Sequence, residues 1–186
     1  FHGTDVLKII PSIPELEGID SHRNDICYVG SLIGAINSRQ NFTPEPGKRY
    51  VFVYLGTGSV SLKLAREILP CVFPAGGTQI CLVGAQSLEK MERVENVEFH
   101  PYIPAEAVLP FCDWTICHGG QNTIIQSLQF GVPLLVFPGP IFERRFNARK
   151  VQENGAGQMG EIPNFTAEWL QAVLAHPENY VKNAKA

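Results

Sequence analysis

From residue 50 onward, short unbroken apolar runs alternate with longer amphipathic ones, and nearly every apolar run stops at glycine or proline. The run 50–55 (YVFVYL) is β-branched and aromatic and ends on Gly56-Thr57-Gly58. A helical pattern over 61–69 follows, with Leu62, Leu64, Ala65, Ile68 and Leu69 on one face. Run 78–83 ends on Gly84, 96–100 on Pro101, 114–117 on His118-Gly119-Gly120, and 132–137 on Pro138-Gly139-Pro140. Between them lie a short helical pattern over 104–110, a helix over 121–130 stopped by Gly131, and another over 142–154 closed by Gly155. A last helix is expected over 166–175, with Thr166 as N-cap.

Continuous apolar strands alternating with helices predict an α/β fold, a Rossmann-like parallel sheet with helices on both faces. Right-handed crossovers then bring every strand's carboxyl end to one edge, where ligands bind in open α/β sheets. Small, polar and turn-forming residues gather on that rim here. The first 45 residues read differently. Runs 5–10 and 26–29 are short, and Pro11, Pro14, Pro44 and Pro46 punctuate the stretch. Residues 1–48 are therefore expected to be a lead-in segment and interdomain linker with short strands, and residues 49–186 the compact domain.

Composition narrows the function. With 186 residues, 17 glycines and 14 prolines placed as turn punctuation, the chain is too rich in apolar runs for disorder. A net charge of −3 argues against nonspecific nucleic-acid binding. The basic cluster Arg144, Arg145, Arg149 and Lys150 is local and interrupted by Glu143 and Asn147. The longest apolar runs have about seven residues, where a membrane span needs about 20. No signal peptide is visible, and the first residue is not Met, which favours a domain cut from something longer. Five cysteines, an odd number without a CxxC pair, point to a reducing cytoplasm. Cys112 and Cys117-His118 lack a second ligand pair at metal-binding spacing, so no metal and no cofactor is expected.

The chemistry concentrates after Cys117. Two adjacent glycines at a strand-to-helix turn let the backbone approach a ligand closely. The helix beyond them offers unpaired N–H groups and a partial positive charge, an anion site. Asn122 and Thr123 side chains add donors, and His118 another, stronger when protonated beside an anion. By themselves these residues are equally a tight turn and a helix cap.

The segment 118–138 (HGGQNTIIQSLQFGVPLLVFP) resembles the donor-binding signature of GT-B nucleotide-sugar glycosyltransferases, in the UDP-glycosyltransferase and macrolide-glycosyltransferase-like family. The resemblance continues through 143–148 and 155–157, and upstream through 54–58, 102–104 and 108–110, covering about residues 50–160 in order. It implies that Gly58, His118, Gly119, Gly120, Asn122 and Thr123 hold the diphosphate of a UDP- or dTDP-sugar. Tyr102 would lie against the nucleobase, the backbone of Ile103 would bond its edge, and Gln126 would face the ribose. Glu143 and Arg144 would reach the donor sugar.

Three positions depart from the family pattern. Ala105 stands where relatives carry Gln, Gln126 where a Glu is frequent, and Arg144 where the acidic residue is followed by Gln. A neutral Gln126 weakens the case for uridine over deoxythymidine, and Arg144 is expected to pair with Glu143 in preference to the alternative, reading an acidic group on the sugar. The family moves a sugar to an acceptor hydroxyl, usually with inversion, using a His base in a separate N-terminal acceptor domain. Nothing here resembles that domain, and His2, His22, His100 and His176 read as solvent or structural histidines. No catalytic residue is expected in this chain; an N-terminal domain or partner subunit would supply it.

Other classes compete. A dinucleotide oxidoreductase would use Gly56-Thr57-Gly58, but Ser61 breaks the fingerprint and Gly84-Ala85 stands where an acidic residue is needed. A noncatalytic nucleotide-sugar-binding or scaffold domain, the donor subunit of a split transferase, and a GT-B epimerase or lipid-linked transferase share the same phosphate turn.

Overall fold

The computed structural model describes residues 7–18, 24–30 and 42–185. In chain order the elements are β1 (Lys8–Ile10), α1 (Pro14–Glu17), β2 (Ile26–Tyr28), β3 (Arg49–Tyr54), α2 (Leu62–Val72) and β4 (Gln79–Gly84). Next come β5 (Glu92–Val94), β6 (Val97–His100), α3 (Ala105–Val108), β7 (Cys112–Cys117) and α4 (Gln121–Gln129). The chain closes with β8 (Leu134–Val136), α5 (Phe142–Glu153), β9 (Gly157–Met159), α6 (Ala167–Leu174) and α7 (Glu178–Ala184).

Seven strands form one sheet in the order β5-β6-β4-β3-β7-β8-β9. Every pairing is parallel except β5 with β6. The strands are apolar on both faces because both are covered. Val51 and Val53 of β3 pack with Ala65 and Leu69 of α2 and Leu170 and Leu174 of α6. Their neighbours Tyr50 and Phe52 point the other way, toward Val108 and Leu109. Beyond β7 the same face is covered by Ile124 and Ile125 of α4 and Ala148 and Val151 of α5. The expected doubly covered α/β sheet is therefore present.

The departures are local. The antiparallel edge strand β5 is a three-residue Glu-Arg-Val turned back through Glu95, which holds φ at 56°. Its charges suit an edge and conceal the strand from an apolar-run reading. Helix α2 runs three residues past Leu69 with Pro70 inside. Thr166 caps α6, accepting a hydrogen bond from Trp169 N at 3.3 Å. Strands β1 and β2 make a separate two-stranded parallel sheet, and Leu16 of α1 is buried against the α4–α5 cluster. Of the run 5–10, Asp5 and Val6 lie outside the described residues, as do His2 and His22.

Candidate functional site

The central strands β3 and β7 lie side by side, so the loops that leave their carboxyl ends, 55–61 and 118–120, are neighbours. A cleft of about 700 Å³ opens over these loops, bounded by α4 on one side and by residues 102–106 on the other.

His118 sits at its base. The imidazole is wedged among glycines: a Cβ at Gly56, Gly58 or Gly120 would stand 2.9, 2.7 or 2.9 Å from a His118 side-chain atom. The Tyr54 ring flanks it at 5.8 Å between centroids. Its Nδ1 is buried and makes no hydrogen bond of ordinary geometry to any described residue, although the Tyr54 carbonyl lies near enough to favour the protonated ring. Burial lowers the His118 pKa below its ordinary 6.5, the Arg144 guanidinium adds to this, and the Tyr54 carbonyl opposes it. These effects favour the neutral ring near pH 7, whereas a dianion beside it would draw a proton on.

The turn into α4 presents its donors openly. Gly119 holds φ at 88°, and a Cβ there would meet the Arg144 carbonyl oxygen at 2.9 Å, so only glycine fits without strain. Gly120 is the N-cap and brings no side chain to the helix end. The first helical bond is Ile124 N to Gly120 O at 3.2 Å, which leaves the amides of Gln121, Asn122 and Thr123 without intrahelical acceptors. Helix α4 is seated by a buried polar contact: Ser127 Oγ donates to Thr115 Oγ1 on β7 at 2.9 Å or to the Thr123 carbonyl at 2.8 Å.

Helix α5 ties the two loops together. Asn147 Nδ2 donates to the Gly119 carbonyl at 3.0 Å, which fixes the peptide leading into Gly120. Arg144 donates to the Thr57 carbonyl at 3.1 Å and to Thr57 Oγ1 at 2.8 Å. The expected pairing of Arg144 with Glu143 is therefore corrected. The two are adjacent on a helix and point apart, and the guanidinium reaches across to the β3 loop instead. Glu143 is left exposed at the cleft, without a hydrogen bond or ion pair among the described residues.

Of the residues singled out in the sequence, His118, Gly120, Asn122, Thr123 and Glu143 line the cleft. Tyr102, Ile103 and Gln126 line it too, with Tyr102 64% exposed at the rim. Gly58 and Gly119 lie behind the wall, where they make room for His118 and for α5, and Arg144 is engaged with Thr57. Two residues that the sequence reading did not single out also belong here. Thr57 receives Arg144, and Glu106 accepts a hydrogen bond from Gln126 Nε2 at 2.6 Å. Their partners are 87 and 20 residues away, so no local pattern marks them.

Neither His100 nor His176 reaches the cleft. His100 pairs with Glu98 at 3.1 Å on β6, and His176 with Glu178 at 3.0 Å near α7. Burial raises the thiols of Cys117, to about 12, and of Cys112, so neither is a poised thiolate. Among the described residues no helix is long and apolar enough to cross a membrane.

Comparison with known proteins gives this geometry a family. The chain is 30% identical over 132 residues to 3-alpha-mycarosylerythronolide B desosaminyl transferase of Saccharopolyspora erythraea, covering 68% of this chain and 31% of that protein. It is 31% identical over 162 residues to NDP-glycosyltransferase YjiC of Bacillus licheniformis, covering 81% and 39%. Its fold superposes on the glycosyltransferase of kitacinnamycin with a TM-score of 0.80 at 22% identity, covering 95% of this chain and 48% of that one. The calicheamicin glycosyltransferase CalG4 gives 0.77 at 19% identity, covering 96% and 47%. The chain thus spans less than half the length of each. These folds are GT-B, and the sheet here is one half of that architecture. The family model for the erythromycin biosynthesis protein CIII-like C-terminal domain matches residues 77–185, more than half of the sequence, and the chain belongs to that family of glycosyltransferase C-terminal domains.

Proposed function

We propose that this chain is the donor-binding half of a glycosyltransferase, residues 49–186 holding a UDP- or dTDP-sugar whose sugar passes to an acceptor hydroxyl with inversion. Residues 1–48 lead in from, and link to, an acceptor-binding N-terminal domain or partner subunit. The observation that carries this reading is the uncapped amino end of α4, which opens into the cleft that the His118 ring also lines. Free amides and a histidine on one side match the linked phosphates of a nucleoside diphosphate. The exposed Tyr102 ring at the opposite rim offers a face to a base, a contact worth about 1–3 kcal/mol. Among proteins of like fold, VinC and the rhamnosyltransferase SpnG have been crystallised with dTDP or thymidine diphosphate.

The chemistry assigned to these residues is stabilisation of the departing nucleoside diphosphate. As the bond from the anomeric carbon to the phosphate oxygen breaks, negative charge grows on the diphosphate. The amides of Gln121, Asn122 and Thr123 and the ring of His118 meet that charge without rearranging. Glu143, without a hydrogen bond or ion pair among the described residues, supplies an acceptor for donor-sugar hydroxyls at the cleft. Arg144 contributes its charge from behind Thr57. A general base must lie within hydrogen-bond reach of the acceptor hydroxyl. No histidine described here other than His118 lines the cleft, so the base belongs to the other half.

Titration calorimetry with UDP and dTDP, together with a transfer assay on the same 186-residue protein using simple alcohols as acceptors, tests both parts. Nucleotide binding without transfer is expected. Binding of neither nucleotide overturns the donor site, and measurable transfer overturns the absence of the base.

A further inference from the structure

We infer that Glu106, acting with Gln126, reads the ribose of the bound nucleotide and makes the cleft prefer a ribonucleotide over its 2′-deoxy counterpart. This rests on the donor-site reading above and goes beyond it, naming a specificity residue on α3.

The placement follows from the two ends of the cleft. Phosphates meet α4 at residues 121–123, and the base meets residues 102–103, so the sugar joining them crosses the ground between. Gln126 lies there, in the second turn of α4, about 5 Å along the axis from the phosphate amides. Glu106, on the first turn of α3 just after the base loop, faces it across the gap. Gln126 Nε2 donates to Glu106 Oε1 at 2.6 Å, and both residues are half-buried walls of the cleft.

That bond fixes which atoms remain. An amide turned the other way would set oxygen against carboxylate oxygen, so the nitrogen must face Glu106. Glu106 then keeps its second oxygen, and Gln126 its carbonyl oxygen, with no hydrogen bond to any described residue. The ground between base and phosphate therefore offers two adjacent acceptors, one of them charged. A phosphate is repelled there, while a vicinal diol donates to both. The charge that Gln126 lacks at its own position is restored from across the cleft. A 2′-deoxyribose has one hydroxyl for two acceptors and leaves a desolvated acceptor unsatisfied.

Titration calorimetry with UDP and 2′-deoxy-UDP, which share base and phosphates, tests this on the wild-type chain and on E106A and E106Q. Hydrogen bonds to charged groups translate into roughly tenfold or more, so wild type is expected to bind UDP at least about tenfold tighter. In E106A the preference is expected to fall within about twofold while deoxy-UDP affinity holds, which also reports that the variant is folded. E106Q, keeping a neutral acceptor, is expected between the two. Equal affinity of wild type for both nucleotides, or equal weakening of both in E106A, overturns the role of Glu106 and leaves the donor site standing. Binding of neither nucleotide overturns the donor site and this inference with it.

Discussion

The same strands that are buried and apolar at their middles become small, polar and bent at their carboxyl ends. In β3, β7 and β8, residues Val51, Val53, Trp114 and Leu135 are at most 1% exposed and belong to one apolar cluster, in which the Trp114 indole N–H is satisfied by the Leu174 carbonyl at 3.2 Å. One or two residues past the strands come Gly56 with φ at 50°, Gly119 with φ at 88°, and the His118 ring, whose buried Nδ1 makes no hydrogen bond of ordinary geometry among the described residues. The middle is held by burial and tolerates no loss of volume. The rim is held by glycine conformations and by the α5 side chains Asn147 and Arg144, and it leaves donors unused. Stability and binding are thereby separated along each strand, and substitutions at the two places should fail in different ways.

The largest effect belongs to the middle. Leu135→Ala removes a fully buried side chain from β8 and is expected to cost about 3 kcal/mol of unfolding free energy in urea titration. Nucleotide affinity of the remaining folded protein should stay within about twofold. A comparable loss of affinity would break the separation.

Next comes Gly119→Ala at the rim. The new methyl meets the Arg144 carbonyl at 2.9 Å in a backbone conformation that costs a side-chain-bearing residue about 1–3 kcal/mol. The turn is expected to relax away from the ligand, weakening UDP binding in calorimetry by about thirtyfold or more, a larger fold-change than any core variant gives.

The smallest effect is a pH dependence. The His118 pKa lies below 6.5 in the free protein, first because the ring is buried and then because Arg144 is near. A diphosphate dianion beside it favours the protonated ring, so the complex takes up a proton as pH falls from 8 to 6. Affinity for UDP-glucose, used as a probe because its diphosphate stays fully ionised over this range, should rise about threefold across that interval. H118Q should flatten the profile. Affinity that falls with falling pH would contradict the placement of His118 against the phosphates.

Much of this division was legible in the sequence, because the middles are written as unbroken apolar runs and the rim as glycine and proline stops. The five principal strands and the helices α2, α4, α5 and α6 follow from those signals alone. What escaped is short, polar or distant. Strand β5 carries two charges in three residues, β9 is Gly157-Gln158-Met159 with no apolar run, and α7 is mostly polar with Ala184 buried. In the site, His118, Gly120 and Asn122 share one contiguous turn and could be read together. The Arg144–Thr57 and Gln126–Glu106 bonds join different loops and helices, and only packing brings them together. Arg144 meets Thr57 and not its neighbour Glu143 for that reason, since adjacent residues on a helix do not face each other.

The central claim is that linked phosphates rest on the backbone amides opening α4. Two-dimensional nitrogen–proton NMR of the chain during titration with UDP tests it most directly. The largest amide shifts are expected at Gly120, Gln121, Asn122 and Thr123, with smaller ones at Gly56 and Thr57. Shifts gathered instead around Leu16, Leu128 and Asn154, in the groove on the far side of α4, would contradict it.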